Sequence, residues 1–305
     1  MKATALFLLV LSALTVAAQA DGIMMPSQTT WLRNREKAMI NEPEQKAAVL
    51  YSKGKEQLII SPSYEGRSDS FAWVVPVPAR PKVEIVKGAL FHELMTLVSP
   101  KPDVMADGGR AAGKAAGPPV TVLERKTVGA YDVSVLAATD GKALLKWLAK
   151  NKYHLPPKAL GPVNAYVKEK WTFVACRIKA PKAAKGLASG TLAPLRLTFA
   201  AKRPVYPIRL SAANPKPFKL VLYLVVAASA FPGSSRVVEM VSAPTTRDPK
   251  LPPETDLAVT LPAGQKDYPT LAKLTREKSH VYTVRLFQPA LEPSGCTRDF
   301  VWRMP

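Results

Sequence analysis

QLIISPSYEGRSDSFAWVVPVP (residues 57–78) is the densest block of strand-forming residues in a chain of 305. Leu58, Ile59 and Ile60 run into Pro62 and the polar segment EGRSDS (65–70), and an aromatic and β-branched run then extends from Phe71 to Val75. That order predicts two strands joined by a turn, with Pro76 and Pro78 marking an extended exit. The block holds no nucleophile, metal-ligand set or phosphate loop, so it reads as scaffold. The polar turn at 65–70 is the part of it that a site could use.

Working outward, QKAAVLYSKGKEQLIIS (45–61) has the form of a hairpin, with polar residues and Gly54 where the turn needs positive φ. Residues 21–41 fit a short helix or an extended arm. Past Pro81 the period changes: Leu90, Leu94 and Leu97 recur on one face of a helix, with Phe91, Met95 and Val98 beside them. His92, Glu93 and Thr96 are then expected to point outward, and Ser99-Pro100 ends the element. Residues 101–119 are rich in Gly, Ala, Lys and Pro, which predicts a linker or surface loop and the best internal boundary.

Beyond it, residues 120–123, 128–137, 171–178, 192–199, 205–210 and 218–228 read as strands, and 237–241 as one more. Thr139 or Asp140 can cap a helix over 142–151, and a second helix starts at Gly161-Pro162. Residues 179–190 read as a Lys/Ala/Gly loop, 242–270 as Pro-rich loop without a central strand, and 271–277 as one or two helical turns. HVYTVRLF (280–287) is expected to end the regular structure. The whole predicts an α+β fold of mostly antiparallel sheets, about three packed helices and Pro/Gly/Lys-rich loops. Residues 21–100 and 120–305 form two blocks, or one continuous domain.

Residues 1–20 have the layout of a cleavable signal: Lys2, an apolar run over 5–11, and small residues ending Ala18-Gln19-Ala20. The longest later apolar run, LVLYLVVAASA (220–230), is short for a membrane helix and reads as a buried strand. The expected mature protein is exported and soluble, periplasmic or extracellular. Lys and Arg number 43 against 23 Asp and Glu, a net charge of +20. Outside the cell such a charge favours an anionic envelope polymer or lipid surface; a dispersed basic surface without a partner is the plainer alternative. No aromatic-basic module for specific nucleic-acid binding is present.

The most concentrated basic feature is the 142–151 helix, where Lys142, Lys146 and Lys150 fall on one stripe that continues to Lys152, His154 and Lys158. These five lysines are the candidate anion-binding residues, with a solvated helix face as the competing reading. No catalytic, cofactor or metal residue can be assigned. His92, His154 and His280 lack the helical spacing of a zinc pair, and no G-x-S-x-G elbow occurs. Asp107-Gly108-Gly109-Arg110 lacks the strand and helix that a dinucleotide loop requires. Glu65 and Asp69 flank the predicted turn, and Asp132 lies within a strand on its polar side. Trp73, Trp147 and Trp171 read as packing residues. Cys176 and Cys296 could form one disulfide closing a long loop, worth about 4 kcal/mol; a buried free thiol at Cys176 fits its strand equally.

Several blocks in fixed order resemble a known family: the start at Asp21-Gly22, QKAAVLY, QLIISPSYEG with SFAWVVPVPARP, VTVLERKTVGAYDVSVLAATDGKALLKWLAKNKYHLP, YVKEKWTFVACRI, PLRLTFAAKRPVYPIRLSA and a late VRLF. Together they are similar to the bacterial exported family called domain of unknown function 2330, over nearly all of the mature chain. The resemblance implies export and a shared fold, and supplies no activity, cofactor or catalytic residue. The sequence therefore favours a non-enzymatic envelope or binding protein with a basic surface. A metal-independent hydrolase acting on envelope material, built on the scattered acids, is the alternative.

Overall fold

The computed structural model describes residues 22–33, 40–68, 70–98, 121–128, 130–179, 187–229, 238–245, 253–286 and 290–304. The signal segment, the 101–119 boundary and Asp69 lie outside them. In chain order the first half holds β1 (Ile23–Pro26), α1 (Gln28–Arg33), β2 (Glu44–Ser52), β3 (Lys55–Ser68), β4 (Ser70–Val77), β5 (Lys82–Ile85) and α2 (Leu90–Val98). Then come β6 (Thr121–Val128), β7 (Tyr131–Ala137), α3 (Gly141–Lys150), α4 (Leu160–Lys168), β8 (Thr172–Lys179), β9 (Leu187–Thr191) and β10 (Leu195–Ala200). The last part is β11 (Val205–Tyr206), β12 (Lys219–Ala227), β13 (Met240–Ser242), β14 (Glu254–Leu261), α5 (Pro269–Thr275), β15 (Ser279–Arg285) and β16 (Phe300–Trp302).

Two large sheets lie face to face. One has the order β1-β4-β8-β7-β6; the other runs β14-β15-β12-β2-β3-β10-β5, with β9 added along the far end of β3. Every pairing is antiparallel except β2 with β12. A small sheet, β11-β16-β13, is hydrogen-bonded separately from both and packs Val205, Tyr206, Phe300 and Trp302 into the core they share. Strand alternation assigns the side chains to layers. Trp73, Val75, Val133 and Val174 meet Leu58, Ile60, Leu197 and Leu224 in the core between the large sheets. The intervening residues Ala72, Val74, Phe173 and Ala175 turn outward and are roofed by Leu144, Trp147 and Leu148 of α3 and by Val163 and Tyr166 of α4. On the other outer face Ala48, Leu50, Ile59 and Val225 are roofed by Leu90 and Leu94 of α2 and Leu271 of α5. The layers thus run helix, sheet, sheet, helix, an α+β architecture dominated by strands. Each large sheet takes strands from both sides of residues 101–119.

The opening stretch carries the chain from one sheet to the other. The β2–β3 turn is the expected hairpin, with Lys53 and Gly54 both at positive φ (48° and 73°), the two-residue turn whose twist matches the strands. The segment 65–68 is not a turn: β3 continues to Ser68, held by β9, and β4 starts at Ser70. Long-range pairing with β9, itself inside a segment read as loop, keeps these polar residues extended. The Pro-rich 242–270 region also contains a strand, β14, placed at a sheet edge between Pro253 and Pro262, where proline is tolerated. Regular structure does not end at residue 287, because β16 pairs with β11 and β13. Five helices are present among the described residues: the three expected to pack on the sheets are α2, α3 and α4, while the short α1 and α5 fall where a short helix and one or two helical turns were open readings.

Glu93 corrects the reading of α2. It is 7% exposed, and Met95 takes the outer position at 50%. The cause is α5, which arrives with its first amides facing α2: the Glu93 carboxylate accepts hydrogen bonds from the N–H groups of Thr270 (3.0 Å) and Leu271 (2.8 Å). Helix N-termini need acceptors of this kind, and a carboxylate suits the positive end of the dipole. Gly88, with φ of 104°, lets the chain pass this junction, since a Cβ there would lie 2.5 Å from Thr270 Oγ1.

A cationic cleft beside the last helix

Helices α2 and α5 do not cover the whole outer face of the larger sheet. Alternation brings Leu50 and Ser52 of β2, Lys55 and Gln57 of β3, Arg196 and Thr198 of β10, Val225 and Ala227 of β12, and Ser279 of β15 to the same side. Where the roof stops, a cleft of about 530 Å³ opens between these strands, the Lys53 turn and the C-terminal end of α5. Five cations line it: Lys53, Lys55, Arg196, Lys273 and Arg276. Glu277 is the one carboxylate among its lining residues. Lys53, Lys55, Lys273 and Arg276 are exposed.

The end of a helix presents carbonyl oxygens, which repel anions, yet here those groups are already engaged. Gln57 Nε2 donates to the Leu274 carbonyl (3.1 Å), Thr275 Oγ1 to that of Leu271 (3.1 Å), and the Arg276 amide to that of Ala272 (3.1 Å). Arg276 closes α5 with φ of 60°, the left-handed cap that ends many helices. Glu277 is held below its usual carboxylate range by hydrogen bonds from Ser229 and Ser52 (2.7 and 2.8 Å). Arg196 is anchored by Glu84 (2.8 Å) and Gln57 (3.2 Å), and its buried Nε has no partner among the described residues. A rigid polar ledge with excess positive charge results, able to hold phosphate, sulfate or carboxylate groups by charge-assisted hydrogen bonds.

None of these five residues was singled out by the sequence. Their positions fall in three distant chain segments, 53–55, 196 and 273–276, so no local pattern joins them; alternation in each strand was the only available signal. The predicted lysines do stand where helical spacing placed them. Lys142, Lys146 and Lys150 are exposed along α3, which Asp140 caps through the Ala143 amide (2.8 Å). Lys152 follows at positive φ, and Lys158 donates to the Asn214 carbonyl (2.7 Å), burial lowering its pKa. This stripe lies on the roof of the other sheet and lines none of the recesses described in this protein.

The remaining candidates are scattered. Asp132 faces Arg177 across β7 and β8 (2.9 Å). Glu65 sits in β3, its backbone bridged to Asn41. His92 is exposed on α2, His154 stacks on Trp31 with ring centroids 4.2 Å apart, and His280 is buried with Nδ1 2.8 Å from Thr260 Oγ1. Cys176 and Cys296 are both buried as free thiols, and burial pushes the Cys176 thiol far up. Among the described residues no three His, Cys, Asp or Glu side chains group to hold a metal, and no helix is long and apolar enough to cross a membrane.

The fold and the cleft leave the relationship to be settled by comparison. A family model described as an uncharacterized protein conserved in bacteria, domain of unknown function 2330, matches residues 27–302. The chain belongs to this family. No curated protein matches this member. Among solved structures, the crystal structure of baculovirus P35 aligns with 87% of this chain and 97% of its own, at 11% identity and a TM-score of 0.38.

Proposed function

We propose that this family member is an exported, non-enzymatic binding protein of the bacterial envelope, and that the cleft beside α5 takes the anionic groups of an envelope polymer. The observation that carries this reading is the convergence of Lys53, Lys55, Arg196, Lys273 and Arg276 on one concave surface with Glu277 as the opposing charge. A cleft of this size accommodates one or two anionic groups of a longer chain, while the overall charge of +20 draws the polymer in. The signal-like residues 1–20 support an address outside the cytoplasm.

The test is titration of the mature protein with fluorescent dextran sulfate across a salt series, alongside phosphatidylglycerol vesicles. Affinity for dextran sulfate should fall steeply between 50 and 200 mM salt, to roughly the extent expected for several released counterions. The pair Lys273→Glu and Arg276→Glu should weaken it about tenfold. Salt-independent or absent binding would refute the proposal, and preference for vesicles over polymer would reassign the partner to a lipid surface.

A further inference from the structure

A second cavity, of about 700 Å³, opens where the three sheets meet. Its floor is apolar: Pro78 past the end of β4, Trp171 ahead of β8, Ala200 and Ala201 at the end of β10, Val205 of β11 and Val301 of β16. Trp171 is a fixed platform. Its ring lies 4.8 Å from that of Tyr166, and the Arg209 guanidinium stands 5.7 Å away. Behind it, buried Asp299 accepts from Tyr166, from Arg209 Nε (2.8 Å) and from the Ile208 amide (2.7 Å). Burial works against the charge on Arg209, but the Glu169 and Asp299 carboxylates outweigh it and hold its pKa up.

The charges at the cavity are unbalanced. Glu169 lines it, but both its oxygens are taken by Arg209 (2.6 and 2.7 Å). Lys202 and Arg203 are exposed at the rim and make no ion pair among the described residues. The same two cations border a neighbouring recess of about 380 Å³ that includes Val241 and Met304. An apolar floor beside two free cations fits a ligand with one apolar and one anionic end.

We propose that this groove binds a long-chain acyl carboxylate, with its chain along the Trp171 and Val205 floor and its head between Lys202 and Arg203. An inorganic anion would leave the floor wet, and a neutral chain would leave both cations without a partner. The volume falls within the range of about 300–1,000 Å³ typical of small-ligand sites, suited to one chain rather than a two-chain lipid. This site adjoins the α5 cleft at the Lys53-Gly54-Lys55 turn but shares none of its lining residues, and the proposal does not rest on that cleft.

Calorimetric titration with dodecanoate below its micelle concentration tests the assignment. Binding should weaken about fourfold for each methylene removed from the chain, and 1-dodecanol should bind at least tenfold more weakly. The pair Lys202→Glu and Arg203→Glu should cost at least tenfold. Ala200→Trp, at an exposed position where folding tolerates bulk, should block the groove, whereas Lys273→Glu with Arg276→Glu should leave dodecanoate binding intact. Absent binding, equal affinity for acid and alcohol, insensitivity to Ala200→Trp, or binding of dodecyl phosphate without dodecanoate would overturn it.

Discussion

The two outer faces of this protein are built alike and end differently. Over the smaller large sheet, α3 and α4 close the surface and offer solvent a convex helix striped with Lys142, Lys146 and Lys150. Over the other, α2 and α5 stop short, and the strands they leave uncovered form a concave floor under Lys53, Lys55, Arg196, Lys273 and Arg276. Charge alone does not separate these regions, since both are basic. Shape and anchoring do: lysines on a convex face stay hydrated and mobile, whereas Arg196 and the helix end are fixed by Glu84 and Gln57. Ordering such groups in advance lowers the entropy lost on binding.

The strongest way to break this contrast is to loosen one roof at a time. Leu148→Ala under α3 and Leu271→Ala under α5 should each cost about 3 kcal/mol, the usual loss for a buried leucine, measured by urea unfolding. Only Leu271→Ala should also weaken dextran sulfate binding. Next in size, Glu93→Gln should cost about 2 kcal/mol, because it faces an amide donor with a second donor where two N–H groups now meet a carboxylate. A neutral result in the same unfolding assay would mean that α5 is held by its apolar contacts alone. Charge reversal of Lys273 and Arg276 should follow, with about a tenfold loss of polymer affinity, equivalent to about 1.4 kcal/mol.

Glu56 offers a contrast on the inner face of the same sheet. Where Glu93 receives two amides, Glu56 receives the Val205 amide (2.9 Å) on one oxygen, and the other has no partner among the described residues. Burial raises its pKa well above the ordinary range, so the folded protein keeps this proton while the unfolded chain releases it near pH 4.3. Stability should therefore fall as pH rises from there to the folded pKa. Relative to Glu56→Gln, the wild-type loss should approach, but not exceed, about 1.4 kcal/mol per pH unit. Parallel melting-temperature profiles for the two proteins between pH 4 and 7 would reject it. The smallest effect is expected on the α3 stripe: triple reversal of Lys142, Lys146 and Lys150 should change stability by less than about 0.5 kcal/mol and polymer affinity by less than twofold. A larger loss of affinity there would move the site to α3.

Much of the architecture was legible because its causes are local. Alternation over residues 45–61 and 71–75, the Lys53-Gly54 turn, the Asp140 cap and the leucine period of α2 each act within a few residues. The misread parts were those fixed at long range. Polar 65–68 stays extended because β9 supplies its hydrogen bonds, and Glu93 is buried because α5 docks on it from nearly two hundred residues away in sequence. The predicted lysine stripe exists as a stripe for the same local reason that made it visible. The cleft's cations stayed hidden because their spacing in sequence carries no period.

By itself, then, the sequence determined the strand-rich class, the family, the β2–β3 hairpin, the Asp140 cap and the excess of positive charge, all properties of composition or short-range geometry. Only the tertiary structure decided where that charge gathers in a cleft. A cleft exists where two helices end over a sheet, and a groove exists where three sheets meet; both depend on how far one packed element reaches over another, which no single segment encodes.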